Sequence, residues 1–218
     1  MTRHNPHPKG CSMQWWQKVA RRIRVPLGFV TAALYLYECA RTAPHPIAIA
    51  CSLALVIPGL AIRAVASGTV KKNLELTITG PYAYTRNPLY LGSTLIAAGF
   101  AVALLSWPLG LVLAVGFSVI YIPVIASEER FLRATFPNFD AYCRLVPRFL
   151  PRLTPANYHK DQALSSAAAA VTSSSPNGFS VALYRRHREY NAALGAFLLY
   201  LSLIVLHPLL QLIAHRAQ

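Results

Sequence analysis

Two apolar runs, about Leu89–Trp107 and Pro108–Ala126, meet at Ser106-Trp107-Pro108 with no polar linker between them. Each is about 19 residues long, and as helix that spans about 28 Å, close to the ~30 Å hydrocarbon core of a bilayer. A chain that crosses and turns straight back forms a transmembrane helical hairpin. Its two free ends must then emerge as neighbours on one face of the membrane. Three further apolar runs cover about Val25–Cys39, Pro46–Ala66 and Ala192–Ala214. Pro58-Gly59 predicts a kink in the second run, and Pro123 a bend near the end of the fourth. The expected fold class is all-α: a polytopic transmembrane bundle of about five spans, with the hairpin at its functional centre.

Composition agrees. The chain is 55% apolar and 13% charged, with a mean hydropathy of +0.39, whereas soluble domains carry about 25% charged residues. Such apolar content excludes disorder for most of the chain. Cys11, Cys39, Cys51 and Cys143 are scattered, so neither a disulfide framework nor a metal site is expected. Lys and Arg number 21 against 7 Asp and Glu, a net charge of +14. A basic excess signals either nucleic-acid binding or membrane topology. Five spans put every Lys and Arg except Arg41 and Arg216 on one side. The positive-inside rule makes that side, and the N-terminus, cytoplasmic, and no nucleic-acid partner is needed. Residues 1–24 read as a basic tail with Trp15 and Trp16 as interfacial anchors. Residues 25–160 read as the membrane core, 161–180 as a flexible Ala/Ser-rich linker, and 181–218 as a C-terminal transmembrane helix.

Two clusters flank the hairpin. One is Gly80-Pro81-Tyr82-Ala83-Tyr84-Thr85-Arg86-Asn87-Pro88-Leu89-Tyr90. The other is Glu128-Glu129, followed by Tyr142 and Val146-Pro147-Arg148-Phe149-Leu150-Pro151. Singly, each feature has an ordinary reading. Gly80-Pro81 marks a turn. The tyrosines suit an interfacial belt, and Arg86 the positive-inside bias. Asn87 and Pro88 suit a helix cap and first turn. Glu129 and Arg133 stand at i, i+4, a pair worth about 0.2–0.5 kcal/mol. Together they make a pocket with both charge signs and π faces. Carboxylates hold an ammonium, arginine holds a carboxylate, and aromatic faces favour a sulfonium or stack on a base.

At these residues the chain resembles the isoprenylcysteine carboxyl methyltransferase and phospholipid N-methyltransferase superfamily of integral membrane enzymes, especially its bacterial members. That superfamily shows Gly-x-Tyr-x-x-x-Arg-His-Pro-x-Tyr, a hairpin, Glu-Glu, then a Tyr and a Val-Pro-x-x-x-Pro ending. The counterparts here lie within residues 59–152, with Lys72-Asn73 upstream. The resemblance implies S-adenosylmethionine as methyl donor and a multi-pass protein of a bacterial cytoplasmic membrane. It implies that Tyr82, Asn87, Pro88 and Tyr90 line the nucleoside pocket and that Leu76 lies in a stretch giving backbone contacts. Glu128 and Glu129 match the carboxylate pair that holds the donor. Arg86 matches the motif arginine, so Arg86, Glu128 and Glu129 are the implied catalytic set. Two departures stand out. Asn87 replaces the superfamily histidine, and Ile122-Pro123-Val124-Ile125-Ala126 replaces a stretch where prenylcysteine enzymes carry an acceptor-binding arginine.

The expected reaction is methyl transfer to a lipid-borne or prenylcysteine-like carboxylate, with membrane lipids and a lipophilic acceptor as partners. An alternative is phospholipid amine methylation, where Glu128 or Glu129 takes a proton. A second is a scaffold or transport subunit without catalysis. A transporter should carry polar or broken segments near the midplane, whereas the polar clusters here sit at one edge. Glu38 and His207 read as edge-of-membrane residues.

Overall fold

A computed structural model describes residues 26–27, 29–43, 45–70, 76–156 and 179–216. The basic tail, Lys72-Asn73, most of the Ala/Ser-rich linker and the His207 side chain lie outside the described residues. Those described are helical, with turns and loops and no strand among them. Helix α1 covers 29–41. It is followed by α2 (Pro46–Thr69), a 3-10 turn (Gly80–Ala83), α3 (Pro88–Ala103), α4 (Trp107–Thr135), α5 (Phe139–Leu145), α6 (Val181–Arg186) and α7 (Tyr190–Arg216).

Three helices, α2, α4 and the Tyr190–Leu210 part of α7, are long and apolar enough to cross a membrane. With the shorter apolar α3, and α1 lying over the first apolar run, this is roughly consistent with about five spans. Large apolar side chains face outward, including Leu111, Ile122, Phe197 and Ile204. Such surface is costly in water and suited to lipid.

Lipid gives helices no hydrophobic reason to associate, so close backbone approach has to supply the contact. Small residues do so between α2 and α3. A Cβ added at Gly92 would lie 2.6 Å from the Gly59 carbonyl oxygen, and one at Gly99 3.0 Å from the Ser52 carbonyl oxygen. Gly59 therefore serves contact with α3. Hydrogen bonds add specificity: Tyr35 donates to the Leu199 carbonyl at 2.6 Å, and the Ser52 and Tyr200 hydroxyls pair. Tyr35, Cys39, Val56, Phe100, Ala196 and Leu203 form one buried core, so α7 packs into the same core as α1, α2 and α3.

The hairpin turns within Leu104–Ser106. Leu105 takes the left-handed region (φ 49°), and the Ser106 side chain caps α4 by accepting from the Leu109 N–H at 3.2 Å. At the other end α4 runs nine residues past Ala126, to Thr135. Glu128 and Glu129 therefore sit inside the helix rather than at its C-terminus. The segment Ser127–Thr135 is polar but rich in helix formers, so loss of hydropathy marks the membrane edge and not the helix end.

Candidate functional site

The site stands at the open end of the hairpin. Gly80 enters the 3-10 turn with φ +60°, a conformation that costs glycine nothing. The turn and the irregular stretch that follows it are tied to the Pro147–Ala156 segment by a series of hydrogen bonds. The Arg86 N–H donates to the Pro147 carbonyl (2.9 Å), Arg152 N–H to Tyr84 (3.0 Å) and Ala156 N–H to Ala83 (3.0 Å). The Thr85 hydroxyl donates to the Phe149 carbonyl at 3.0 Å. Beneath, the Tyr142 hydroxyl donates to the Tyr82 carbonyl at 2.8 Å. Phe139, Tyr142 and Val146 pack there with Leu76, Leu132 and Phe136. The two clusters thus form one unit.

Within it lies a cavity of about 510 Å³. Leu76, Tyr82, Arg86, Asn87, Pro88, Tyr90, Glu128 and Glu129 all line it, so the structure brings every sequence-selected site residue together. Glu129 is the electrostatic hub, with its side chain only 7% exposed. It stands 3.1 Å from Arg86 Nη1 and 2.5 Å from Arg148 Nη2, and Arg148 Nε also donates to it. The pair with Arg133 expected from spacing does not form; Arg133 pairs with Asp140 at 2.7 Å. Long-range partners are fixed by packing here, while the local one faces solvent.

Arg86 has a second contact, Nη1 to Cys143 Sγ at 2.8 Å. Its Nε is buried with no hydrogen-bond partner among the described residues. A donor buried without a partner costs about 1–3 kcal/mol, so this N–H calls for an acceptor. Glu128 is exposed and accepts from the Tyr90 hydroxyl at 2.9 Å. Asn87 does not cap α3 with its side chain. Its amide instead donates to the Arg148 carbonyl at 2.8 Å, which leaves Pro88 to open the helix. Burial pushes the Tyr82 phenol well above the ordinary tyrosine range, and Glu128 and Glu189 add to the effect. Burial raises Tyr142 likewise.

Two arginines escaped the sequence reading. Arg148 lay inside the quoted Val-Pro motif, yet nothing separated it from the other basic residues. Arg63 carried a signal, a charge within an apolar run. It lines the cavity, pairs with Glu189 at 2.7 Å and donates to the Ser93 hydroxyl. It thereby joins α2, α3 and the start of α7.

The phospholipid methyltransferase family matches this chain over residues 51–138. That stretch holds the first cluster, the hairpin and both glutamates, and it ends before Tyr142 and Arg148. It supports a membrane methyltransferase. Two curated relatives are each 40% identical over 84 residues, covering 38% of this chain and 39% of their own length. They are the nickel-cobalt-cadmium resistance protein NccN of Alcaligenes xylosoxydans xylosoxydans and the cobalt-zinc-cadmium resistance protein CzcN of Cupriavidus metallidurans. The chain thus spans well under half the length of these relatives. No solved structure matches.

Proposed function

We propose that this chain is an integral membrane S-adenosylmethionine-dependent methyltransferase whose acceptor is a lipid-borne carboxylate. The observation that carries the reading is the cavity itself. Its volume, about 510 Å³, suits a ligand of nucleoside size, since small-molecule sites run about 300–1,000 Å³. Its walls offer carboxylates, a guanidinium with an unsatisfied buried N–H, and tyrosine rings, which match an amino-acid zwitterion joined to a sulfonium and a nucleoside.

In this reading Glu128, exposed and committed to the Tyr90 hydroxyl, takes the donor's ammonium. Arg86 takes the donor's carboxylate through its Nε–H, which has no partner among the described residues. Glu129 holds Arg86 in place between α4 and the Pro147 segment. Tyr82, Asn87, Pro88, Tyr90 and Leu76 enclose the nucleoside. When bound, S-adenosylmethionine supplies an electrophilic methyl carbon; a carboxylate oxygen takes it, and the broken S–C bond's electron pair returns to sulfur. No proton has to move. The chain's residues therefore need only orient the partners and exclude water. The site side faces the cytoplasm, as the basic bias of its loops indicates. The superfamily's bacterial members suggest a bacterial cytoplasmic membrane.

The test is incubation of purified protein and a total lipid extract with methyl-labelled donor. Base-labile volatile label identifies a methyl ester and supports the proposal. Base-stable lipid label identifies amine methylation instead. No lipid label with any fraction, from protein that binds no S-adenosylhomocysteine, defeats the enzyme reading.

A further inference from the structure

A second cavity, of about 530 Å³, lies between α3 and α4. Its α3 wall is Thr94, Ala97, Ala98 and Ala101, at i, i+3, i+4 and i+7. Its α4 wall is a helical stripe running from Gly110 to Ile125, about 22 Å along the axis at 1.5 Å per residue. Small side chains create the space: alanines on α3 face Gly110 and Ala114 on α4. Toward the hairpin turn the groove ends at Ala101 and Gly110, and Arg148 with Phe149 lines the other end. Ala98, Ala114 and Ile122 are exposed, so the groove opens sideways to the surrounding hydrocarbon. Its length exceeds one leaflet, about half of the ~30 Å core.

Only one layer of side chains separates this groove from the Glu129 cavity. Tyr90 lines the cavity and Tyr121 the groove, and their rings pack at 4.7 Å. Glu129 lines the cavity and Arg148 the groove, and they form an ion pair. The two sides differ in charge. The cavity holds both carboxylates beside Arg63 and Arg86, while Arg148 is the one charged residue among those lining the groove. Arg148 uses Nε and Nη2 on Glu129. Its fork carries five N–H donors, and its side chain is 53% exposed, so donors remain for a ligand. A long alkyl chain ending in a carboxylate fits this groove. An amine would meet a like charge, with its counter-charges on the far side of the partition.

We infer that the α3–α4 groove holds the hydrocarbon tail of the methyl acceptor and that Arg148 binds the acceptor's carboxylate. This assignment rests on the proposed methyltransferase reading for the word acceptor, but the binding site can be tested without turnover.

The experiment uses the full chain in phosphatidylcholine nanodiscs and palmitic acid carrying a chain diazirine. Adducts are mapped by peptide mass spectrometry after illumination, beside titration with S-adenosylhomocysteine. Labelling should fall on α3 and α4 between residues 94 and 125. Unlabelled palmitate should compete, and hexadecylamine should not. Arg148→Gln should cut labelling about tenfold, which is about 1.4 kcal/mol, and Arg148→Lys should restore most of it. Because Arg148 also holds Glu129, Ala114→Trp provides a second variant. It should abolish labelling while S-adenosylhomocysteine still binds. Labelling elsewhere, or labelling indifferent to both Arg148→Gln and Ala114→Trp, overturns the inference. Equal competition by hexadecyl phosphate or hexadecylamine overturns the carboxylate assignment. Groove labelling without any S-adenosylhomocysteine binding defeats the methyltransferase reading and leaves a lipid-carboxylate site. Donor binding without groove labelling defeats this inference alone.

Discussion

Replacing Glu129 with glutamine should cost the fold more than any other single change in the site. The carboxylate is 7% exposed and pairs with Arg86, 15% exposed, and with Arg148, 53% exposed. Removing one member of a buried pair costs about 3–5 kcal/mol, because the partner charge is left uncompensated. The Arg148 arm is half in solvent and belongs nearer the surface range of about 0–1 kcal/mol. The Arg86 arm is mostly shielded, and its buried Nε already lacks a partner among the described residues. A loss of about 3 kcal/mol follows, dominated by stranding Arg86. For a chain of this size each kcal/mol shifts Tm by about 2–4 °C, so the midpoint should fall by about 6–12 °C. Thermal unfolding in detergent measures it. The discriminating variant is Arg86→Met together with Glu129→Gln, which should be more stable than Glu129→Gln alone because no buried charge remains unpaired. A single-variant cost below about 1 kcal/mol, in the range of exposed pairs, would refute the hub assignment. So would a double variant whose losses simply add.

Three other outcomes follow from the same geometry. Tyr90→Phe removes the hydroxyl that holds Glu128, so S-adenosylhomocysteine affinity should fall by roughly 2- to 13-fold, as for loss of a hydrogen bond of about 0.5–1.5 kcal/mol, with little change in Tm. Isothermal titration checks it. Gly92→Ala puts a Cβ 2.6 Å from the Gly59 carbonyl and from Arg63 Cγ, and overpacking of this kind costs about 1–3 kcal/mol; an unchanged unfolding midpoint would show that α2 and α3 are not in close contact. Burial raises the Tyr82 and Tyr142 phenols, so the folded state holds these protons more tightly than the unfolded chain, whose tyrosines titrate near about 10. Their contribution is complete below that pH and is lost as pH rises above it. The wild-type Tm should therefore fall more steeply above pH ~10 than that of Tyr82→Phe/Tyr142→Phe, and parallel curves would contradict the burial.

The hydrophobic runs and the missing polar linker around Ser106 made the helical architecture legible, because membrane length and chain reversal leave few alternatives, although the turn itself lies at Leu104–Ser106 and Trp107-Pro108 open α4. Helix ends were less legible. Leu104 and Leu105 look like helix interior but form the turn, and the polar Glu128–Thr135 segment continues α4. The site residues were readable as an ordered set, and the structure places them around one cavity. Their partners were not readable. Glu129 could have paired with Arg133 by spacing, and Asn87 could have capped α3. Contacts 19 and 61 residues away along the chain decided both cases. Arg148 and Arg63 were hidden among many arginines whose placement depends on tertiary packing.

The central claim is that the Glu129 cavity binds the methyl donor. Isothermal titration of S-adenosylhomocysteine into nanodisc-embedded wild-type protein, beside Arg86→Gln and Glu128→Gln, tests it most directly. The account predicts micromolar binding, about −8 kcal/mol, weakened at least tenfold in each variant while both remain folded. A folded wild-type protein that binds no S-adenosylhomocysteine, or variants that bind it as tightly as wild type, would contradict it.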